Sequence, residues 1–123
     1  MRKLISIVIP VYNEEQNIHA LSARLFPVLD SLKRPYEVIF INDGSKDSSL
    51  ALLISEYKSH PEVVRIIDFN ANFGQHTAIM AGFRESRGDI VITLDADLQN
   101  PPEEIPRVIA CIDEGHDVVG TIR

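Results

Sequence analysis

The chain has 123 residues, which fits one domain with a buried core, and 45% of them are hydrophobic, an ordinary fraction for a globular domain. The formal net charge is −6 at pH 7 and the basic residues are scattered singly, so the composition argues against a nucleic-acid-binding surface. The one cysteine, Cys111, excludes an intrachain disulfide, and no apolar run reaches the ~18 residues of a membrane-spanning helix.

Segments with the pattern of strands alternate with segments with the pattern of helices along the whole chain. Leu4–Ile9 is a nearly continuous apolar run, typical of a parallel strand that is buried on both faces. The next segment has apolar residues at helical spacing, and Asn13 with Gln16 has the spacing of a capping box at its start. The further predicted strands are Glu37–Ile41, Val63–Phe69, Asp89–Leu94 and Asp117–Thr121.

The other helices are predicted between these strands: one capped by Ser45 or Asp47, one over Gln75–Ser86, and one beginning at Asn100-Pro101-Pro102-Glu103. This alternation predicts one α/β domain over residues 1–123, with a mostly parallel sheet of about five strands and about four helices on its two faces. The last predicted strand has nothing after it to cover its edge, which predicts self-association of the chain.

Polar, turn-forming residues follow each of the first four predicted strands. In an open parallel sheet the carboxyl ends of the strands share one edge, and ligands bind there at the point where the strand order reverses. We therefore expect one site to be built from four segments, which are Pro10–Glu14, Asn42–Ser45, Asn70–His76 and Asp95–Gln99.

Asp95 and Asp97 are the strongest candidates for a metal site. They are two residues apart, so in an extended chain their carboxylates point the same way, and like charges held close repel unless a cation lies between them. Oxygen ligands suit Mg²⁺ and Mn²⁺, and the amide oxygen of Gln99 offers a further ligand. Such an ion can clamp a diphosphate and stabilise it as a leaving group. The spacing by itself favours the alternative, a solvated acidic turn.

Three other candidates each have a binding role and a structural role. The Asp43 carboxylate could accept a hydrogen bond from a base or ribose, or could form an Asx-turn that supports Gly44. Tyr12 could stack on a base or could be an exposed aromatic ring at a strand end. Glu14 could bind a ribose or could favour a helix N-terminus through the helix dipole. His76 is interpreted as a polar loop residue rather than a catalytic base.

Several motifs of other enzyme classes are missing from the sequence. No Gly-x-Gly-x-x-Gly follows the first predicted strand and no Gly-Lys-Ser/Thr occurs, which disfavours dinucleotide binding and P-loop phosphate binding. The nucleophile elbow of serine hydrolases is missing as well. The four histidines are far apart and have no metal-ligand spacing.

Taken together, Val8–Glu14, Asn42–Ser45 and Asp95–Gln99 resemble the family 2 glycosyltransferases of the GT-A fold, a Rossmann-like architecture. The chain looks most like the polyprenyl-phosphate glycosyltransferases, which include dolichol-phosphate mannose synthase and the bacterial undecaprenyl-phosphate sugar transferases. Asn72–His76 and Asp95–Pro102 are most similar to the bacterial branch. The resemblance covers essentially the whole chain, and the order and spacing of the motifs make it specific.

The resemblance implies a role for each matching position. The positions expected to line the base and ribose are Pro10, Tyr12, Glu14, Ile41 and Asp43. Those expected to face the diphosphate and the nucleotide sugar are Ala96, Asp97 and Arg123. Those expected to hold Mg²⁺ or Mn²⁺, and through it to act in catalysis, are Asp95, Asp97 and Gln99.

The implied reaction is transfer of a sugar, with inversion, from a UDP- or GDP-sugar to a polyprenyl phosphate such as undecaprenyl or dolichyl phosphate. A phosphate acceptor is largely ionised at neutral pH and needs little help from a general base. The resemblance also implies that the full-length protein is attached to the inner membrane on its cytoplasmic side. This chain would be its soluble nucleotide-sugar-binding part, with the acceptor half missing.

Three alternatives remain open. The chain could bind a nucleotide sugar without catalytic activity of its own. It could belong to an enzyme that acts on a saccharide hydroxyl, which would need a general base beyond Arg123. It could also be a different α/β protein, such as a receiver domain phosphorylated on Asp68 after the third strand, which is the least favoured of the three.

Overall fold

The computed structural model describes residues 3–99, 101–113 and 121–122. The strands are β1 (Ile5–Val11), β2 (Tyr36–Asn42), β3 (Val64–Asp68), β4 (Ile90–Leu94) and β5 (Thr121–Ile122). The helices are α1 (Ile18–Ser31), α2 (Ser49–Ser59), α3 (Gln75–Glu85) and α4 (Ile105–Asp113), and a 3₁₀ turn over Pro102–Glu104 precedes α4.

The five strands form one sheet in the order β3-β2-β1-β4-β5, and every pairing between neighbours is parallel. From β1 the chain moves outward through β2 to β3, and then crosses to the other side of β1 to form β4. The strand order therefore reverses between β1 and β4. The predicted α/β fold with a parallel sheet is confirmed.

The central strand β1 has apolar residues on both of its faces, of which one is covered by α1, α2 and α4 and the other by α3. Ile7 and Ile9 lie in the larger core, together with apolar residues of α1, α2 and α4, such as Leu25 of α1. Val8 points to the opposite face, where it packs in a smaller core with Ala78 of α3. Because both faces of the sheet are covered, the prediction of helices on two faces is confirmed.

Small residues let α3 lie close to the sheet. Ala78 and Gly82, one turn apart, are the buried residues of this helix. A Cβ atom at Gly82 would lie 2.4 Å from Cγ1 of Val8, which is far inside van der Waals contact. This close packing fixes the position of the first residue of α3, Gln75, near the carboxyl ends of the strands.

Some predicted boundaries differ from those in the structure. The capping box at the start of the first helix is wrong, because α1 begins at Ile18 and its N-cap is Asn17. Asn13 instead has a positive φ of 54° and belongs to the preceding loop. For α2, neither Ser45 nor Asp47 is the N-cap, because that position is Ser48, although Oδ1 of Asp47 accepts a hydrogen bond from the N–H of Ser49, the first residue of the helix, at 2.9 Å. Most of the predicted strand Asp117–Thr121 lies outside the described residues.

A buried carboxylate joins the strands at their amino ends. Glu37 of β2 accepts hydrogen bonds from Oγ of Ser6 at 2.6 Å, from the N–H of Arg87 at 2.7 Å and from Nη1 of Arg65 at 3.0 Å. Burial alone would raise the pKa of Glu37, but these hydrogen bonds and the positive charge of Arg65 outweigh burial and hold the pKa below its ordinary value. Glu37 therefore links β1, β3 and the loop before β4.

Replacing Glu37 by glutamine tests this link. The variant is expected to lose about 1–3 kcal/mol of stability at neutral pH, because Ser6 and Arg87 lose a charged acceptor. Since the pKa of Glu37 is lower in the folded chain than in the unfolded chain, the wild-type advantage is present above the unfolded pKa and is lost as the pH falls through the folded pKa. Urea unfolding at about pH 7 and about pH 3 measures both values. An equal difference at the two pH values would contradict this account.

Candidate functional site

A cleft of about 290 Å³ opens at the carboxyl ends of the strands, where the strand order reverses between β1 and β4. Each of the four loop segments that the sequence predicts for the site contributes to it. The lining residues are Pro10, Val11, Tyr12, Glu14, Asp43, Asn72, Gly74, Gln75, Asp95, Ala96 and Asp97. The topological rule for parallel sheets therefore locates the cleft correctly.

Hydrogen bonds join the loop after β1 to the loop after β2. The N–H of Asn13 donates to Oγ of Ser45 at 2.9 Å, and Oδ1 of Asn13 accepts from the N–H of Lys46 at 2.8 Å. The N–H of Glu14 donates to Oγ of Ser49 at 2.9 Å. These bonds fix the segment that carries Tyr12 and Glu14, and they leave the exposed ring of Tyr12 and the carboxylate of Glu14 on the side of the cleft.

Asp43 fixes the loop before α3. Its side chain is buried, with only 3% exposure of the residue. Oδ1 accepts a hydrogen bond from the N–H of Phe73 at 2.7 Å, and Oδ2 accepts one from the N–H of Gly74 at 3.0 Å. Asn72 adds an Nδ2 contact to the carbonyl oxygen of Asp43 at 3.3 Å. The carboxylate therefore supports the loop before α3 rather than the turn at Gly44, while Asp43 still lines the cleft.

Gly44 permits the contact between these two loops. Its φ is +69°, a conformation that other L-residues adopt with strain. A Cβ atom there would lie 2.3 Å from the carbonyl carbon of Ala71 and 2.4 Å from the backbone nitrogen of Asn72. Only glycine lets the loop after β2 touch the loop after β3 in this way.

Asp95 and Asp97 both line the cleft, but the extended chain that their two-residue spacing assumed is not what brings them there. After Leu94 the chain turns, and Leu98 has a positive φ of 65°, so the segment is not the extended chain assumed from the spacing. Oδ1 of Asp95 accepts a hydrogen bond from Nε2 of Gln75 at 3.2 Å. Oδ1 of Asp97 accepts one from the backbone N–H of Gln99 at 3.1 Å. Among the residues that the structure describes, these bonds use one oxygen of each aspartate, so the other oxygen can face a ligand.

The donor atoms fit a hard divalent ion that completes its shell with water and substrate oxygens. Asp95 and Asp97 supply carboxylate oxygens, and among residues 3–99 and 101–113 no group of three or more His, Cys, Asp or Glu side chains is arranged to hold a metal. Mg²⁺ is usually held in this way, by one or two carboxylates together with phosphates and water. Gln99 is exposed and does not line the cleft, so the geometry adds no support to its predicted role as a ligand.

Two predicted site positions, Ile41 and Arg123, lie away from the cleft or cannot be placed, and His76, for which the sequence predicts no catalytic role, lies away from the cleft as well. Ile41 is fully buried in the small core beneath α3 and does not line the cleft, because strand alternation turns its side chain toward that helix. His76 is exposed on the first turn of α3 and does not line the cleft either. Arg123 lies outside the described residues.

Among the lining residues for which the sequence indicates no individual role are two with side-chain amides, Asn72 and Gln75. Both belong to the loop after the third strand, whose position at the carboxyl edge was predicted. The segment Asn72–His76 resembles the bacterial branch, but the resemblance implies no role for these two amides, and the packing of α3 shows that they face the cleft.

The variant Gly44→Ala tests the contact between the loops. The added Cβ and the positive φ are expected to destabilise the chain by about 2–4 kcal/mol, because backbone atoms have to move and a strained conformation costs about 1–3 kcal/mol by itself. Thermal unfolding measures the effect. Lys46→Ala, at an exposed position of the same loop, is the control and is expected to change stability by less than about 0.5 kcal/mol. Equal stabilities of the two variants would contradict the contact.

Comparison with known proteins gives the family of the chain. The model of the family described as glycosyl transferase family 2 matches residues 6–123. The undecaprenyl-phosphate 4-deoxy-4-formamido-L-arabinose transferase of Serratia proteamaculans (strain 568) is 51% identical over 121 residues, which are 98% of this chain and 37% of that protein. The chain thus spans a little over a third of the length of this relative. Among the described residues, no helix is both long and apolar enough to cross a bilayer.

Solved structures support the fold. The chain matches the mannosyltransferase of Pyrobaculum calidifontis, in complex with GDP-Man and Mn²⁺, with a TM-score of 0.72 and 21% identity over 86% of this chain and 31% of that one. It matches glucosyl-3-phosphoglycerate synthase of Mycobacterium tuberculosis, in complex with Mn²⁺, UDP and phosphoglyceric acid, with a TM-score of 0.71 and 24% identity over 89% and 39% of the two chains.

The receiver-domain alternative is not supported. Asp68 ends β3 and does not line the cleft, and its Oδ1 accepts a hydrogen bond from Nδ2 of Asn42 at 2.9 Å. The family match, in contrast, runs over nearly the whole chain and includes the motifs from which the resemblance was drawn. The chain belongs to glycosyl transferase family 2.

Proposed function

We propose that this chain is the nucleotide-sugar-binding part of a metal-dependent, inverting glycosyltransferase whose acceptor is a polyprenyl phosphate. The observation that carries the proposal is the charge of the cleft, which is lined by the carboxylates of Glu14, Asp43, Asp95 and Asp97. A diphosphate can bind beside such a wall only if a cation neutralises the repulsion. Asp95 and Asp97 lie where that cation would be held, at the carboxyl end of β4.

Asp95 and Asp97 would hold Mg²⁺ or Mn²⁺ through oxygen atoms, with Gln99 as a proposed further ligand. A bound ion of this kind supplies charge that stabilises the diphosphate as a leaving group. The two solved structures described above contain Mn²⁺ together with GDP-Man or UDP, which supports a divalent ion here. The backbone at Ala96 would approach the diphosphate, and the guanidinium of Arg123 would add charge-assisted hydrogen bonds to the nucleotide sugar.

The nucleoside of a UDP- or GDP-sugar would lie at the other end of the cleft. The ring of Tyr12 is 42% exposed and free to stack on a base, next to Pro10. The carboxylate of Glu14, oriented by a 2.7 Å hydrogen bond from Nδ2 of Asn17, would accept from a ribose hydroxyl. Asp43 completes this wall, and Ile41 would support it only from the core beneath.

The acceptor is inferred from the ionisation of phosphate monoesters and from the name of the 51% identical relative. The 51% identical relative is named for transfer to undecaprenyl phosphate. The second pKa of a phosphate monoester is about 6, so such an acceptor attacks as an anion and needs no strong general base. The acceptor-binding residues would lie in the part of these proteins that this chain does not span. The whole protein would work at the cytoplasmic side of the inner membrane.

Calorimetry tests the donor site. With Mn²⁺ present, the wild-type chain is expected to bind UDP or GDP, and Asp97→Ala is expected to weaken that binding at least about tenfold, because a metal ligand is lost. Glu62→Ala, which removes an exposed carboxylate before the amino end of β3, is the control and should bind as the wild type does. No binding of either nucleotide by the wild type, or equal binding by Asp97→Ala, would contradict the proposal. Binding without sugar transfer by the longer protein would favour a binding module.

Self-association is proposed as well. Among the described strands, β5 is the outermost on its side of the sheet, and α3 exposes Met80 and Phe83 at 49% and 41%. Unpaired sheet edges and exposed apolar side chains both favour contact between copies. Sedimentation velocity over a range of concentrations is expected to show a rising average mass, which Phe83→Arg would reduce. A single monomeric species at high concentration would argue against it.

A further inference from the structure

We propose that Gln75 is a positioning residue for the metal site: its side-chain amide donates to Asp95 and holds that carboxylate in the orientation in which it binds the ion. The inference rests on the proposed function, because it deepens the account of the same cleft. Gln75 is the first residue of α3 and lines the cleft, and no role was assigned to it from the sequence.

The geometry of the contact defines donor and acceptor. Nε2 of Gln75 lies 3.2 Å from Oδ1 of Asp95. An ionised carboxylate only accepts hydrogen bonds, so the amide nitrogen must face Asp95 and the amide oxygen must point elsewhere. A carboxylate has two oxygens, and this bond uses Oδ1. It therefore restricts the rotation of the Asp95 side chain and does not involve Oδ2.

The backbone of Gln75 is held from two directions. On one side, the N–H of the preceding residue, Gly74, donates to Oδ2 of Asp43 at 3.0 Å. On the other side, α3 packs closely on the sheet through Ala78 and Gly82. The amide of Gln75 is therefore carried by a fixed helix end. The buried Asp43 is thus connected to Asp95 by two hydrogen bonds, one to the N–H of Gly74 and one from the side chain of Gln75, with the covalent backbone of these two residues between them.

Such a connection has the properties of an outer-shell interaction at a metal site. Partners that orient a metal ligand without touching the ion usually contribute about 10–100-fold to metal affinity or activity. Gln75 would do this from a different loop than the two aspartates. It would also couple the conformation of the loop after β3 to the orientation of the metal-binding carboxylate after β4.

Two substitutions of Gln75 separate this role from others. Gln75→Leu removes the donor and adds no charge, so Mn²⁺ affinity in the presence of UDP or GDP is expected to fall about tenfold. Gln75→Glu keeps the shape of the side chain but brings a third carboxylate next to the two aspartates. This variant is expected to bind Mn²⁺ alone at least as tightly as the wild type, and to bind the nucleotide more weakly because of its added negative charge.

Titration of the chain with Mn²⁺, followed by electron paramagnetic resonance of the free ion, measures metal affinity without reference to activity. Calorimetry with UDP or GDP measures nucleotide affinity. The control is His76→Ala, at the neighbouring exposed position that does not line the cleft, and it should leave both affinities unchanged. Opposite shifts of metal and nucleotide affinity in Gln75→Glu show that position 75 acts on the site through its charge and that the variant is folded, because general destabilisation would weaken both; the loss of Mn²⁺ affinity in Gln75→Leu then supports the positioning role.

The outcomes distinguish the two levels of the proposal. If the wild type binds neither Mn²⁺ nor nucleotide, the proposed function itself fails. If the wild type binds both, and Gln75→Leu binds Mn²⁺ as tightly as the wild type, only the role of Gln75 is overturned. A loss of nucleotide affinity in Gln75→Leu with unchanged Mn²⁺ affinity would also overturn it, and would identify Gln75 as a direct contact to the donor.

Discussion

The burial of β1 on both faces is the constraint from which the rest of the structure follows. Its apolar side chains need cover above and below the sheet, so the crossovers cannot all lie on one face. Three helices cover one face and α3 alone covers the other, where it carries the chain from β3 at one side of the sheet to β4 at the other. This crossing produces the reversal of strand order, and the reversal leaves the cleft open between the ends of β1 and β4.

Within the cleft, two groups of carboxylates have different surroundings. The charge of Asp43 is compensated by two main-chain N–H groups, and that of Glu14 by the side-chain amide of Asn17. Within the described part of the chain, Asp95 and Asp97 each accept one hydrogen bond, as Glu14 does. Asp43 is therefore the carboxylate of the cleft whose charge is best compensated, whereas Glu14, Asp95 and Asp97 leave more charge facing the cleft.

At the amino ends of the strands, a hydrogen-bonded carboxylate stabilises the fold instead of lining the cleft. Glu37 is surrounded by a hydroxyl, a main-chain N–H and a guanidinium, and it does not line the cleft at the carboxyl ends of the strands. A buried carboxylate with a complete set of donors is a structural link, and one with an oxygen available to the cleft can bind a ligand. The surroundings, rather than the residue type, separate Glu37 from Asp95.

The sequence determined the fold class, the alternation of strands and helices, and the four segments of the site, because hydrophobic periodicity and strand-end residues are local properties. It misassigned the cap at Asn13 and the reason for which Asp95 and Asp97 share a cleft, since loop conformation depends on partners far along the chain. Only the tertiary structure decided three features: the close packing of α3 on β1 at Gly82, the burial of Ile41, and the contact from Gln75 to Asp95. Each of these features depends on a contact between segments that are far apart along the chain, such as Gln75 and Asp95, which are 20 residues apart, and a local pattern does not encode such contacts.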